Sequence, residues 1–287
     1  MEPQTTSAPV AAPVAAAPVA SARYISNPFG LLSPSWQAFK LVWLQLLILG
    51  LIGVVIGTLA NLLPGVRQAS SEGASPSTIM LYLPLVIILS LAINSYTGWM
   101  SAKIMLAGIN GRTISLGQSM PPSVISAVKF ILTSFLYVLI VAGGFLLFIV
   151  PGIIWAVRYQ YALPVCVEEG VFGMAAIRRS GQLTKGHFWE IISVPGVFVA
   201  ALPLLLIPIL GWIAIIVFAF VVGIAGYVRY HQLKQLAAGQ LQAVPTHILN
   251  YIMGLIIALA PLAWLALVAM AAMVVLQQGG SITNTTY

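Results

Sequence analysis

The chain contains no aspartate, and its five acidic residues are all glutamate. Acid–base chemistry that needs converging carboxylates has little to draw on. The one adjacent pair, Glu168 and Glu169, occupies neighbouring positions that do not face each other on a helix, and reads as a solvated loop cap. A single cysteine, Cys166, excludes an intrachain disulfide and a multi-cysteine metal site; alone at a helix end it reads as a small buried hydrophobe. The three histidines, His187, His231 and His247, form no pair at metal-ligand spacing. There is no zinc motif, phosphate-binding loop or nucleophile elbow. No catalytic, cofactor-binding or metal-ligating residue is therefore assigned. No cofactor is expected, and the expectation is a non-enzymatic protein.

Charge of either sign is also scarce. Charged residues make up 6% of the chain against 60% hydrophobic, where a soluble domain carries about 25% charged. A core of this size cannot hide so much apolar surface from water, so lipid must be the solvent for much of it. Continuous apolar runs of about 20 residues recur, the length that crosses a hydrocarbon core as a helix. Their continuity, without polar alternation, excludes a barrel. The expected fold is all-α, a polytopic transmembrane helical bundle of about seven spans. These fall near residues 42–62, 79–99, 130–150, 151–167, 188–208, 210–228 and 252–276. If the short fourth is re-entrant, about six remain.

Residues 1–26 carry the repeated triplet Ala-Pro-Val and read as a disordered cytoplasmic tail. The transmembrane domain follows over 27–276, and 277–287 is a short polar tail. Ser33 and Pro34 offer a helix start, with Trp36, Phe39 and Trp43 on one face as an interfacial lead-in. The net charge of +7 does not imply nucleic acid, because the bases lie between apolar runs where topology requires them. With seven crossings, Arg23, Lys40, Lys103, Arg112, Lys129, Arg178, Arg179, Lys185, Arg229 and Lys234 share one side. Arg67, beside Glu72, lies on the other. The positive-inside tendency then puts the amino terminus in the cytoplasm and the carboxyl terminus outside a cell (plasma) membrane.

Residues 144–189 hold most of the unusual chemistry. Pro151 and Gly152 interrupt an apolar run, as a tight turn or a candidate hinge. Arg158 lies within the fourth span, roughly 13 Å from its inner end. A charge near mid-membrane costs about 2.5–3.5 kcal/mol on insertion scales, so a partner or wet cavity is expected; Glu190 is the candidate carboxylate. Arg178, Gln182 and Lys185 recur at helical spacing, with Arg179 beside them. This basic stripe is a candidate contact for anionic lipid headgroups, with Phe172, Met174 and Ile177 dipping into the interface. Gly181 is expected to split the segment into two short turns. Gly50, Gly53 and Gly57 line up for close helix approach. They make a homo-oligomer, or another membrane protein, the candidate protein partner.

Across this stretch the elements Pro151-Gly152-Ile153, Arg158, Ala162, Val167, Glu169-Gly170, Ala175, Ser180, Leu183, Lys185-Gly186 and Trp189 form a pattern. It resembles the membrane domain of glycerophosphoryl diester phosphodiesterases and the related YciC-type prokaryotic membrane proteins. The resemblance implies an all-helical membrane module without catalytic residues of its own. In those phosphodiesterases a separate soluble barrel performs hydrolysis. No long soluble segment occurs here, so that activity is not carried over. The expected function is that of a lipid- or solute-handling module or a membrane scaffold. The alternative is a small-solute or lipid transporter using the broken fourth and fifth spans around Arg158.

Overall fold

A computed structural model describes residues 23–61, 76–203, 207, 210–259, 268–270 and 273. The tail before Arg23, the loop bearing Arg67 and Glu72, most of the last span beyond Leu259 and the 277–287 tail lie outside the described residues. The fold is an all-α helical bundle, and among the described residues there is no strand.

A single 3-10 turn at Phe29–Leu31 leads into α1, Leu32–Asn61. The expected first helical position, Pro34, is thus two residues late. Pro34 falls within the first turn, where its missing N–H costs nothing, and the Ser35 hydroxyl donates to Leu31 O at 2.6 Å. Helix α2 is Pro76–Ile109, and α3 is a single turn, Leu116–Ser119, closed by a Ser115–Gln118 capping box. Ser123 caps α4, Val124–Leu147. Then come α5, Ile149–Tyr159; α6, Ala162–Glu169; α7, Met174–Leu183; and α8, Phe188–Ala201. Helix α9 is Leu210–Ala237, and α10 is Ile248–Leu259. Phe29–Leu59, Val124–Leu147 and Leu210–Ala237 are long and apolar enough to cross a membrane.

The expected fourth span is two helices. Helix α4 ends where Phe148 becomes extended, at φ −164°, and Pro151 falls in the first turn of α5. At 11 residues α5 is about 16 Å long, and α6, at 8, about 12 Å. Neither alone reaches across about 30 Å of hydrocarbon. Together they carry the chain back along α4. Gly152 packs beside Gly144, Tyr137 Oη lies 3.5 Å from Ala156 O, and Gly173 N–H donates to Thr133 Oγ1 at 2.7 Å. The chain therefore reaches Gly173 level with Thr133, in the first half of α4. Trp99 of α2 meets Phe130 edge-on at that level and stacks on Phe172.

The other packings orient the rest. Gly108 of α2 sits against Ala38 and Val42 of α1, while Asn94 and Gly98 share a cavity with Leu46 and Gly53, so α1 and α2 run antiparallel. Gly196 lies against Met253, and Gly254 against Ile192 and Trp189; the pairings Glu190–Thr246, Ser193–Asn250 and Gly196–Met253 advance together, so α8 and α10 lie side by side and parallel. Close helix approach thus occurs at glycines far apart in sequence. Gly50, Gly53 and Gly57, the expected packing stripe, have open space where a Cβ would stand. Two apolar clusters fill the interior, one around α1, α2 and α9 and one around α2, α4, α6 and α8. Cys166 is a buried, free member of the second.

Candidate functional site

Helix α7 is held to the end of α5 by its own side chains. The last carbonyls of any helix lack intrahelical donors. Here the hydroxyls of Ser180 and Thr184 both donate to Arg158 O, each at 3.0 Å. Gly181, one residue after Ser180, leaves room for the Tyr159 ring at 3.3 Å and Arg158 Nε at 3.4 Å from its would-be Cβ. It does not split the segment: α7 is continuous from Met174 to Leu183. Its missing side chain is what lets α7 lie on α5.

This docking decides where Arg158 goes. Arg158 is exposed, in the last turn of α5, and does not reach Glu190. With Arg178, Gln182 and Lys185 it lines a cavity of about 510 Å³ whose remaining wall includes Ile140, Tyr159 and Ile177. Arg179, one position round the helix, points away and pairs with Glu169 at 3.1 Å. Glu168 is held by Lys234 at 2.9 Å. Among the described residues the only other carboxylate is Glu190, which is committed elsewhere. Three cations therefore share one cavity, with no carboxylate partner among the described residues. Of the side chains expected to dip into the interface, Ile177 is instead core and Phe172 is stacked on Trp99; Met174 is exposed.

Glu190 anchors a second polar assembly. Its side chain is 2% exposed. It accepts from the Tyr24 hydroxyl and from Thr246 Oγ1 at 2.9 Å, and meets His187 Nδ1 at 3.0 Å. Burial and the nearby Arg229 charge hold His187 below the usual imidazole range, and its ring meets the carboxylate through Nδ1. Arg229 is fully buried: its guanidinium lies 5.2 Å from the Tyr24 ring centre, and Nη1 donates to Ile25 O at 2.7 Å. Asn250 donates to Ser26 O at 2.6 Å and accepts from Ser193 at 2.6 Å. Tyr24, Ile25 and Ser26, read from sequence as the end of a tail, are thus a strap joining α8, α9 and α10. Sequence reasoning missed this assembly. The available signal was a tyrosine and an amide-bearing residue flanking apolar helices, which is too common to single out.

Pro151 and Gly152 form the near side of a closed hairpin. A Cβ on Gly152 would lie 2.5 Å from the Phe145 ring. The pair lies in the first turn of α5, and the reversal itself falls at Phe148. Compared with protein-family models, curated proteins and solved structures, the chain has no match.

Proposed function

We propose that the protein is a non-enzymatic membrane module that binds anionic lipid headgroups at the cavity between α5 and α7. One observation carries the reading. Arg158, Arg178 and Lys185 converge on a single cavity while neighbouring Arg179 and Lys234 are neutralised by Glu169 and Glu168. An anion supplied from outside the chain answers that imbalance. We take the cations to mark one end of the bundle, beside exposed apolar residues such as Ile154, where a headgroup would sit. The reading agrees with the resemblance to phosphodiesterase membrane domains, which implies no catalytic residue here. It also makes that end cytoplasmic, in a cell membrane.

Each basic residue near an anionic leaflet contributes about 1 kcal/mol. Arg158→Gln, Arg178→Gln or Lys185→Gln should each weaken binding about fivefold. The triple variant should weaken it on the order of 100-fold. Arg179→Gln should change it little. The measurement is retention of phosphatidylglycerol against phosphatidylcholine by purified protein, read by native mass spectrometry. Equal retention of the two lipids by the unaltered protein would overturn the reading.

The orientation has its own check. With the basic end cytoplasmic and seven crossings, cysteines introduced at Ser70 and Thr285 should both be labelled from outside by an impermeant maleimide. Labelling from opposite faces would remove a crossing, and the short α5–α6 pair is the one to go.

A further inference from the structure

A second cavity lies on the other side of Arg158 and Lys185. It has a volume of about 260 Å³, its walls are almost wholly apolar, and Ile154, Val157 and Phe188 supply most of them. Arg158 and Lys185 border both cavities. Long basic side chains commonly lay their methylene stems on apolar surface while the charged head reaches a polar environment. That division matches what is found here: an apolar groove on one side of the pair, and on the other a cavity in which Arg178 and Gln182 add polar groups beside it. Gly186, at φ +87°, turns the chain sharply between α7 and α8. The turn leaves Lys185 on the shared wall and puts Phe188 in the groove.

We infer that the two cavities are one site for a single amphiphile. Its phosphate occupies the Arg158–Arg178–Lys185 cavity, and one acyl chain of the same anionic phospholipid lies in the Ile154–Val157–Phe188 groove. This rests on the headgroup reading above and adds to it. A soluble phosphate could use the cations but has nothing to place in the groove. A zwitterionic lipid could fill the groove but leaves the three cations uncompensated. Charge complementarity and the adjoining apolar wall together select an anionic lipid. The Thr184 hydroxyl, which also borders the groove, is already used on Arg158 O, so the groove offers little to a polar ligand.

The test uses the full chain in a mild detergent with two probes, 1-oleoyl-lysophosphatidylglycerol and glycerol 3-phosphate. The lysolipid should bind at least about tenfold tighter, since each buried methylene is worth roughly a fourfold gain. Ile154→Trp, at a half-exposed position on the groove wall, should remove most of that advantage and leave glycerol 3-phosphate binding unchanged. Arg178→Gln should weaken both probes. A lysolipid carrying a diazirine in its acyl chain gives a measurement that needs no groove variant. Its crosslinks should concentrate at Ile154, Val157 and Phe188, and Arg178→Gln should reduce them. Equal binding of the two probes would make the site one for soluble phosphate and overturn the inference. So would crosslinks spread evenly over exposed positions such as Leu132 and Ile213, or lysolipid binding unmoved by Ile154→Trp. Binding of neither probe by the unaltered protein would instead defeat the headgroup reading itself.

Discussion

Glu190→Gln should destabilise the protein by about 1–3 kcal/mol, the cost of leaving a buried hydrogen-bonding group without its partner. Three donors converge on this carboxylate: the hydroxyls of Tyr24 and Thr246, and the ring of His187. A group that only accepts satisfies all three. Glutamine replaces one accepting oxygen with a donating amide, so at least one of those contacts turns donor against donor. It also removes the negative charge nearest to Arg229, which is fully buried and has Nε and Nη2 without a partner among the described residues. A buried guanidinium that loses its compensation is expensive. Glu168→Gln, at a part-exposed ion pair with Lys234, should cost no more than about 1 kcal/mol. Unfolding in a graded series of sodium dodecyl sulfate concentrations compares the two. Glu190→Leu combined with Arg229→Leu should recover part of the loss, because apolar replacement at both positions removes the uncompensated buried charge. Equal, small losses for Glu190→Gln and Glu168→Gln would remove the buried network from the account of stability.

What could be read from sequence and what could not divide along the range of the interaction. The apolar runs that became α1, α4 and α9 were legible because a 20-residue hydrophobic stretch has one solution in lipid. The basic stripe on α7 was legible because helical spacing is local. The helix end beside Arg158 was not legible: the 151–167 run looks continuous, and nothing within it announces that the helix breaks at Gln160–Tyr161. Nor does the run reveal that Ser180 and Thr184 will seize the Arg158 carbonyl from a later helix. Arg229 was read as topogenic charge, because it closes an apolar helix. Its burial depends on Tyr24 and Ile25, from the opposite end of the chain, folding over it. The same limit hid Tyr24, which ends an Ala/Pro/Val-rich stretch. Its role appears only once Glu190 is in place.

Gly144→Ala should cost about 1–3 kcal/mol, the usual range for forcing a methyl group into a close-packed contact, whereas Gly143→Ala should be neutral or slightly stabilising. The two positions are adjacent on α4, with the same intrinsic gain in helix propensity of roughly 1 kcal/mol on going from glycine to alanine. They differ only in what they face. A Cβ on Gly144 would stand 2.9 Å from Gly152 Cα, 3.1 Å from its nitrogen and 2.8 Å from the Trp155 ring. The Trp155 ring can swing aside, but the Gly152 backbone can move only if α5 separates from α4. That separation would carry Arg158 and the α7 contact with it, so Gly144→Ala should also weaken phosphatidylglycerol retention although it lies far from the cations. A Cβ on Gly143 meets nothing within 4 Å, so its propensity gain is unopposed. Gly53→Ala and Gly57→Ala should behave like Gly143→Ala in the monomer, for the same reason. The comparison is made by thermal unfolding in detergent, with lipid retention measured on the same preparations. Equal midpoints for Gly143→Ala and Gly144→Ala would mean that the α4–α5 hairpin is looser than this packing, and the position of Arg158 would then need another cause.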